Sequence, residues 1–344
     1  MSLLSTIPSH DGTSPSQYVE VKGCCEPVSR ILVLGGAGYL GCMMVGELLR
    51  HGFAVRVLDA FLFGDRALAD FKYNRNCEVI RGDLRDIGVV VQCMRGCDAV
   101  VHLAGIVGDA ACNERTALAV QVNSAATPLL LRAARRCGID RFIFASTCSV
   151  YGASERCLDE GSPLNPLSVY ARTKGESEKW LLEASGPDFT PTILRLGTLF
   201  GLSPRMRFDL VVNLFVAQAA SSGQITIWNG EQWRPFLHVQ DAVRAFLLCL
   251  DAPRQAVAGQ IFNVGGASLN YQIRELGQSI ARAIPNTRLS AIENDDRRNY
   301  RVSFDKIQSV LGFRCERNLA FGIHEMYASL KSNEFANVGD GRFL

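Results

Sequence analysis

Short apolar runs alternate with amphipathic stretches through the first part of this chain. The runs 31–34, 53–59, 77–83, 99–105, 141–146 and 192–196 are apolar, β-branched or aromatic almost throughout. That is the pattern of strands buried on both faces. Between them, 43–49, 117–136 and 170–184 carry helical periodicity. Strands that alternate with helices predict an α/β fold, a doubly wound parallel sheet of the Rossmann type, with ligands at the carboxyl ends of the strands. After residue 200 the pattern loosens. Helical stretches at 208–220, 239–250, 273–283 and 304–311 are separated by strand-like pieces at 225–228 and 261–264. We read a smaller C-terminal lobe over the sheet edge, with the chain crossing back into the sheet near 261–265. No internal repeat or low-complexity segment interrupts this order.

Composition narrows the class without changing that picture. The chain has 344 residues, 48% hydrophobic and 20% charged, with a formal net charge of +2. This describes an ordinary globular protein with no polybasic surface for nucleic acid. No apolar run approaches the roughly 20 residues of a membrane-spanning helix. Residues 1–29 are polar and read as an extension without a signal-peptide core. A cytoplasmic location is the expectation. The twelve cysteines show no zinc-type pairing. Cys93 and Cys97 are four apart on a predicted helix, and Cys42, Cys148 and Cys249 sit in apolar segments, where cysteine packs as a small hydrophobe. Reduced thiols are the reading, with a disulfide framework as the alternative. No metal is expected.

The first strand runs into Gly35-Gly36-Ala37-Gly38-Tyr39-Leu40-Gly41 and then a helix. Gly35 permits the tight turn, Gly38 lets the backbone approach a pyrophosphate, and Gly41 allows close helix–strand packing. The helix N-terminus adds free N–H donors. Asp59 ends the next strand, 18 residues past Gly41, near the spacing of a carboxylate that holds an adenosine ribose. It would repel a 2′-phosphate and so favours NAD over NADP. Arg56 on the same strand argues weakly the other way. Residues 30–200 are therefore assigned to an NAD-binding domain and 201–344 mainly to a substrate-binding lobe.

Tyr170 and Lys174 stand four apart at the start of a predicted helix and share a face. An ammonium near a phenol favours phenolate and predicts a lowered tyrosine pKa, which suits a general acid or base. The alternative is a chance pair on a surface helix. Ser146 and Thr147 come after an apolar strand, so they lie at its carboxyl end. Thr147, 23 residues before Tyr170, could hold a substrate oxygen in line with the phenol. Strand-end capping is the alternative and suits Ser146 and Ser149 better.

These segments, with Gly82-Asp83-Leu84, His102-Leu103-Ala104-Gly105, 146–152 and Tyr170-x-x-x-Lys174, occur in the order seen in extended short-chain dehydrogenases/reductases. The chain resembles their nucleotide-sugar epimerase/dehydratase branch over roughly 29–330. The resemblance implies that Thr147, Tyr170 and Lys174 form a catalytic triad. It implies NAD contacts from the glycine loop with Tyr39 and Leu40, from Asp59 at the adenosine ribose, from Asp83 and Leu84 at the adenine, and from Tyr170 and Lys174 themselves. Leu103, Ala104 and Gly105 would line the cofactor's middle, and Asn123 would support the site. In 233–241, Arg234 would grip the substrate diphosphate, while His238 and Asp241 read as structural. Arg298 is a second candidate, with a solvated charged loop as its alternative. Trp228 would contact the nucleoside base, or else is a core aromatic.

The resemblance also bears on the reaction. Family dehydratases carry carboxylates directly after the active-site threonine; here Cys148 and Ser149 stand at those positions. Cys148, at an ordinary thiol pKa, would be mostly protonated and reads as packing. Two positions depart from the epimerase pattern. Thr198 stands where an asparagine is common, and Val107 where some 4-epimerases have lysine. Arg205 and Arg207 would compensate near the diphosphate. The implied activity is an NAD-dependent epimerase acting at C4 of a nucleotide hexose through a transient 4-keto intermediate. A ketoreductase, dehydrogenase or dehydratase on a nucleotide-linked sugar is the alternative, and an NAD-binding regulator without catalysis is a third. The family often forms homodimers through two helices per subunit. Leu118, Val122, Leu129 and Leu130 would serve there, or would be plain core.

Overall fold

The computed structural model describes residues 29–294, 296 and 298–332. The N-terminal extension up to residue 28, with Cys24 and Cys25, lies outside the described residues.

Seven parallel strands form the main sheet. β1 (Arg30–Leu34), β2 (Ala54–Asp59), β3 (Cys77–Arg81), β4 (Ala99–His102) and β5 (Arg141–Thr147) are followed by Thr190–Leu196 and Gln260–Val264. Their order in space is Gln260–Val264, Thr190–Leu196, β5, β4, β1, β2, β3. The chain therefore builds outward from β1 to β3, then returns past β1 to β4 and builds the other way. The reversal between β1 and β4 makes the crevice where such sheets take ligands. Central strands are buried on both faces: every residue of β4 and of Thr190–Leu196 is buried, whereas β3, at the edge, is mostly exposed.

Helix α1 (Tyr39–Arg50) starts at Gly38 with no side-chain cap. Other helices are capped locally. Asp86 accepts from the N–H groups of Gly88 and Val89, and Ser168 accepts from Ala171 at the start of Val169–Ala184. The predicted helix 117–136 is interrupted. Thr116–Val120 and Thr127–Arg136 flank a π-helical turn, Gln121–Ala125, a feature frequent at functional sites. The predicted helix around Cys93 ends at Met94, and Cys97 lies beyond it, past Gly96 at φ +69°. The ten cysteines among the described residues are free thiols.

The second half is not a separate layer. Gln260–Val264 pairs with Thr190–Leu196 in full register, and helix Val239–Asp251 packs against α1. One large cluster of buried side chains runs from Ile31 and Val45 through Phe236 and Phe246 to Ile280 and Met326. The outer pieces are small sheets. Thr198–Phe200 pairs with Trp233–His238, a strand that the sequence presents only as a motif, and Gln224–Trp228 pairs with Arg288–Ile292. No described helix is long and apolar enough to cross a membrane.

Candidate active site

The glycine loop closes against the loop after β4. Gly35, at φ +84°, lies so near that loop that a Cβ on it would stand 2.6 Å from the Ala104 backbone. A Cβ on Gly41 would stand 2.0 Å from the Gly35 carbonyl oxygen. Gly38 is more open, its nearest neighbour being that same carbonyl at 3.4 Å. At the end of β2, Asp59 accepts from the N–H groups of Ala37 at 2.9 Å and Phe61 at 2.7 Å, so the carboxylate ties the glycine loop to the turn behind it. Uncapped donors at α1, a cradle that side chains would fill, and a carboxylate beside it fit a dinucleotide. Arg56 is committed elsewhere. It pairs with Glu78 at 2.6 Å and donates to the carbonyls of Cys93 and Arg95, so it closes off a helix C-terminus and does not face the ribose position. Asp83 is held below the usual carboxylate range by hydrogen bonds from Arg85, and Leu84 is buried beside it.

Further along the crevice, Asn123 projects from the π turn. Its side chain donates to the Ile106 carbonyl and accepts from the Ile106 N–H, both at 2.8 Å. This braces the strand-end loop at Leu103, Ala104 and Gly105. A Cβ on Gly105 would meet Asn123 Oδ1 at 3.0 Å and Lys174 Nζ at 3.6 Å. The structure thus brings the candidate cofactor wall and the candidate catalytic helix into contact.

Lys174 is buried. Its ammonium donates to the Ala145 carbonyl at 2.9 Å and lies 4.5 Å from the Phe144 ring centroid. Burial lowers its pKa to about 8. Tyr170, one turn earlier, differs from expectation. Burial pushes its phenol above the ordinary value, opposed by the Arg207 charge and the Thr147 hydroxyl. A desolvated phenol is a poor place for negative charge, and this outweighs its charged neighbours. Thr147 ends β5, and its hydroxyl accepts from the Ser149 N–H at 3.1 Å, capping the turn Cys148–Tyr151. Cys148 is buried, with its thiol pushed well up by desolvation and donating to the Arg195 carbonyl. The Ser149 hydroxyl stands 3.3 Å from the Tyr300 hydroxyl.

Behind β5 lies a buried charge network that sequence reasoning missed. Glu178 is four residues past Lys174 on the same helix. Arg195 donates to it at 2.7 Å, Ser146 bonds to it, and Arg195 also donates to the Tyr151 hydroxyl at 2.8 Å. Glu178 and Arg195 are 2% and 3% exposed, so the pair is dry and braces the strand that carries Thr147. The i, i+4 spacing from Lys174 was the available signal for Glu178; nothing local pointed to its partner.

The second-half candidates separate. Arg234 is buried, donates to Gln232 Oε1 and the carbonyls of Trp233 and Arg298, and stands 3.5 Å from Asp296. Arg298 pairs with Asp296 and with Asp109. Its neighbours Asp295 and Arg297 lie outside the described residues. Arg205 and Arg207 do not act side by side. Arg205 lies 3.9 Å from the Phe63 ring centroid and donates to the Met206 carbonyl, on the Asp59 side. Arg207 pairs with Asp209 at 2.5 Å beside Gly108. Trp228 is 48% exposed on the small outer sheet, which removes the core alternative. Thr198 opens the short strand beside Phe236. His238 is fully buried against Glu325 at 2.6 Å, and Asp241 accepts from the N–H groups of Glu316 and Arg317; both hold the fold.

This arrangement has counterparts among known proteins. Residues 31–265 match the model of the NAD dependent epimerase/dehydratase family. A dTDP-glucose 4,6-dehydratase of an Actinoplanes species is 31% identical over 327 residues, covering 88% of this chain and 98% of the relative. A UDP-glucose 4-epimerase of Lactobacillus helveticus is 28% identical, covering 73% of this chain and 81% of the relative. The crystal structure of DesIV, a dTDP-glucose 4,6-dehydratase from Streptomyces venezuelae solved with NAD bound, superposes with a TM-score of 0.80 at 27% identity, covering 89% of this chain and 98% of that one. The chain belongs to the NAD dependent epimerase/dehydratase family, whose members act on nucleotide sugars.

Proposed function

We propose that the chain is an NAD-dependent nucleotide-sugar epimerase that inverts C4 of a nucleotide hexose. The observation that carries this reading is the identity of the two residues after Thr147. Elimination from the sugar needs an acid–base group beyond the tyrosine, and these two positions hold a buried, strongly desolvated thiol and a hydroxyl. The nearby carboxylate of Glu178 is locked to Arg195 behind the strand. Dehydratases among the relatives weigh the other way; the absence of carboxylates at these two positions supports the epimerase reading.

In this reading Tyr170 accepts the proton of the sugar's C4 hydroxyl as a phenolate, a form that its burial opposes and that the positive charges of Lys174, Arg207 and bound NAD would have to restore, while Thr147 holds the same oxygen. Lys174, anchored on the Ala145 carbonyl, supplies the neighbouring positive charge, and Arg234 and Arg298 hold the diphosphate. NAD bound along the glycine loop supplies reversible hydride uptake. Asp59 leaves no room for a 2′-phosphate's charge. A homodimer through 116–136 and Val169–Ala184 fits the surface. Leu130 is core, whereas Val120, Leu129 and Trp180 are 40%, 40% and 44% exposed on those helices. Leu129→Asp with Trp180→Asp should then give a monomer by light scattering.

The test is direct. The protein is purified, its released nucleotide identified by mass spectrometry, and UDP-glucose and dTDP-glucose incubated with it without added cofactor. NMR should show the C4-inverted sugar. A 4-keto-6-deoxy product, or turnover only with added reduced cofactor, overturns the reading in favour of a dehydratase or a ketoreductase.

A further inference from the structure

We propose that Asp109 sets the charge preference of the sugar pocket, so that the protein takes a nucleotide sugar with an uncharged ring over one that bears a carboxylate. This rests on the nucleotide-sugar reading above and names the substrate class within it.

Asp109 comes directly after Gly108, whose φ of +88° turns the chain off the loop after β4, and it opens the short helix Asp109–Glu114. That helix packs on the helix that carries Tyr170, with Ala111 and Cys112 in one cluster with Val169 and Tyr170. The carboxylate is used on one side only. Oδ2 accepts from Arg298, which reaches over from the turn beside Arg234. Oδ1 is buried and finds no hydrogen-bond partner among the described residues. The side chain as a whole is 29% exposed, and its charge is met by a hydrogen bond on one oxygen only among the described residues. Tyr170 packs against the helix that Asp109 opens, and its phenol lies within reach of the Asp109 charge, which brings the carboxylate near the reacting end of the sugar in the reading above.

The surrounding cations do not offset this preference. Arg207 is paired with Asp209, Arg298 with Asp296 and Asp109, and Arg234 faces Asp296. Three of the surrounding arginines are thus matched by three aspartates, while Lys174 is anchored on the Ala145 carbonyl and Arg205 lies over the Phe63 ring. A sugar carboxylate entering here would meet the Asp109 carboxylate as a like charge in a partly desolvated setting, whereas an uncharged hydroxymethyl group would meet no such repulsion.

The experiment measures dissociation constants of UDP, UDP-glucose and UDP-glucuronic acid by calorimetry for the wild type, Asp109→Asn and Arg298→Gln, each checked for NAD content and circular dichroism. The wild type should bind UDP-glucose at least about tenfold tighter than UDP-glucuronic acid. Asp109→Asn should shift that ratio toward the uronate at least about tenfold, because it removes the charge and releases Arg298. Arg298→Gln should shift it the other way. A merely structural role would weaken both sugars by one factor, and that outcome overturns the assignment, as does a wild type that prefers the uronate. Failure of the wild type to bind UDP and both sugars, with the dTDP counterparts failing too, overturns the nucleotide-sugar reading itself and this inference with it.

Discussion

The two ends of the crevice are built by different means. At the cofactor end the chain works with backbone. Gly35, Gly38 and Gly41 shape the loop, Asp59 binds two main-chain N–H groups, and Asn123 braces one residue's amide and carbonyl. At the candidate substrate end it works with long charged side chains from distant segments, Asp109, Arg207, Arg234, Asp296 and Arg298, tied into pairs. A backbone cradle of this kind admits one shape, and at Gly35 and Gly41 it leaves no space for an added carbon. A ring of charge pairs can be repartnered residue by residue.

The comparison can be broken most severely where the two ends meet. Tyr170→Phe should reduce kcat by about 10²–10⁴-fold, as loss of a positioned acid–base group does, while NAD content on denaturation stays near the wild-type value. Equal loss of both would mean that the phenol serves the fold. Breaking the brace behind β5 comes next. Arg195→Met leaves Glu178 buried without its partner and should cost about 3–5 kcal/mol in urea unfolding. Adding Glu178→Leu should recover much of it, and failure to recover would show that the pair does more than neutralise itself.

At the cofactor end, Gly41→Ala drives a Cβ into the Gly35 carbonyl and should cost about 1–3 kcal/mol or more by overpacking, read as NAD lost on dialysis with nucleotide-sugar binding kept. A buried histidine beside this end gives a pH signature. His102, edge-on to Phe142 with its Nδ1 unpartnered, has its pKa lowered to about 3, by burial and then by the Lys174 charge. The unfolded chain takes up a proton near pH 6.5 and the folded one does not, so stability falls as pH drops from about 6.5 toward 3. His102→Leu should flatten that limb of a urea-midpoint profile. The smallest effect is expected at Arg56. Arg56→Gln should cost about 0.5–1.5 kcal/mol and leave the preference for NAD over NADP unchanged, measured by calorimetry with both cofactors.

The same contrast explains what could be read from sequence. The cofactor end is nearly contiguous, and glycine spacing with an acid at the end of the next strand describes it almost completely. So does strand burial: the all-apolar runs became the central strands. The substrate end was legible only in part. Arg234 and Arg298 stood out as residue types, but their partners Asp109 and Asp296 did not, because Asp109 and Arg298 are 189 residues apart and no periodicity links them. Arg205 and Arg207 are two apart in sequence yet take different partners, Phe63 and the Met206 carbonyl for one and Asp209 for the other, which their spacing does not reveal. The tyrosine's pKa went the wrong way because charge is visible in a sequence and desolvation is not.

The return strand Gln260–Val264 has a practical corollary for anyone who wishes to recombine this chain with its relatives. A cut at residue 200 looks natural, yet it would strip the partner from Thr190–Leu196, all seven residues of which are buried, and leave a bare hydrophobic edge open to intermolecular pairing. It would also sever Tyr39 from the Gly201 carbonyl, which its hydroxyl reaches at 2.6 Å. A chimera that exchanges sugar specificity should therefore carry over outer pieces such as 224–232 and 288–294, together with Asp109 and its neighbours Asp296 and Arg298, and leave the closing strand and the helix before it with their own sheet.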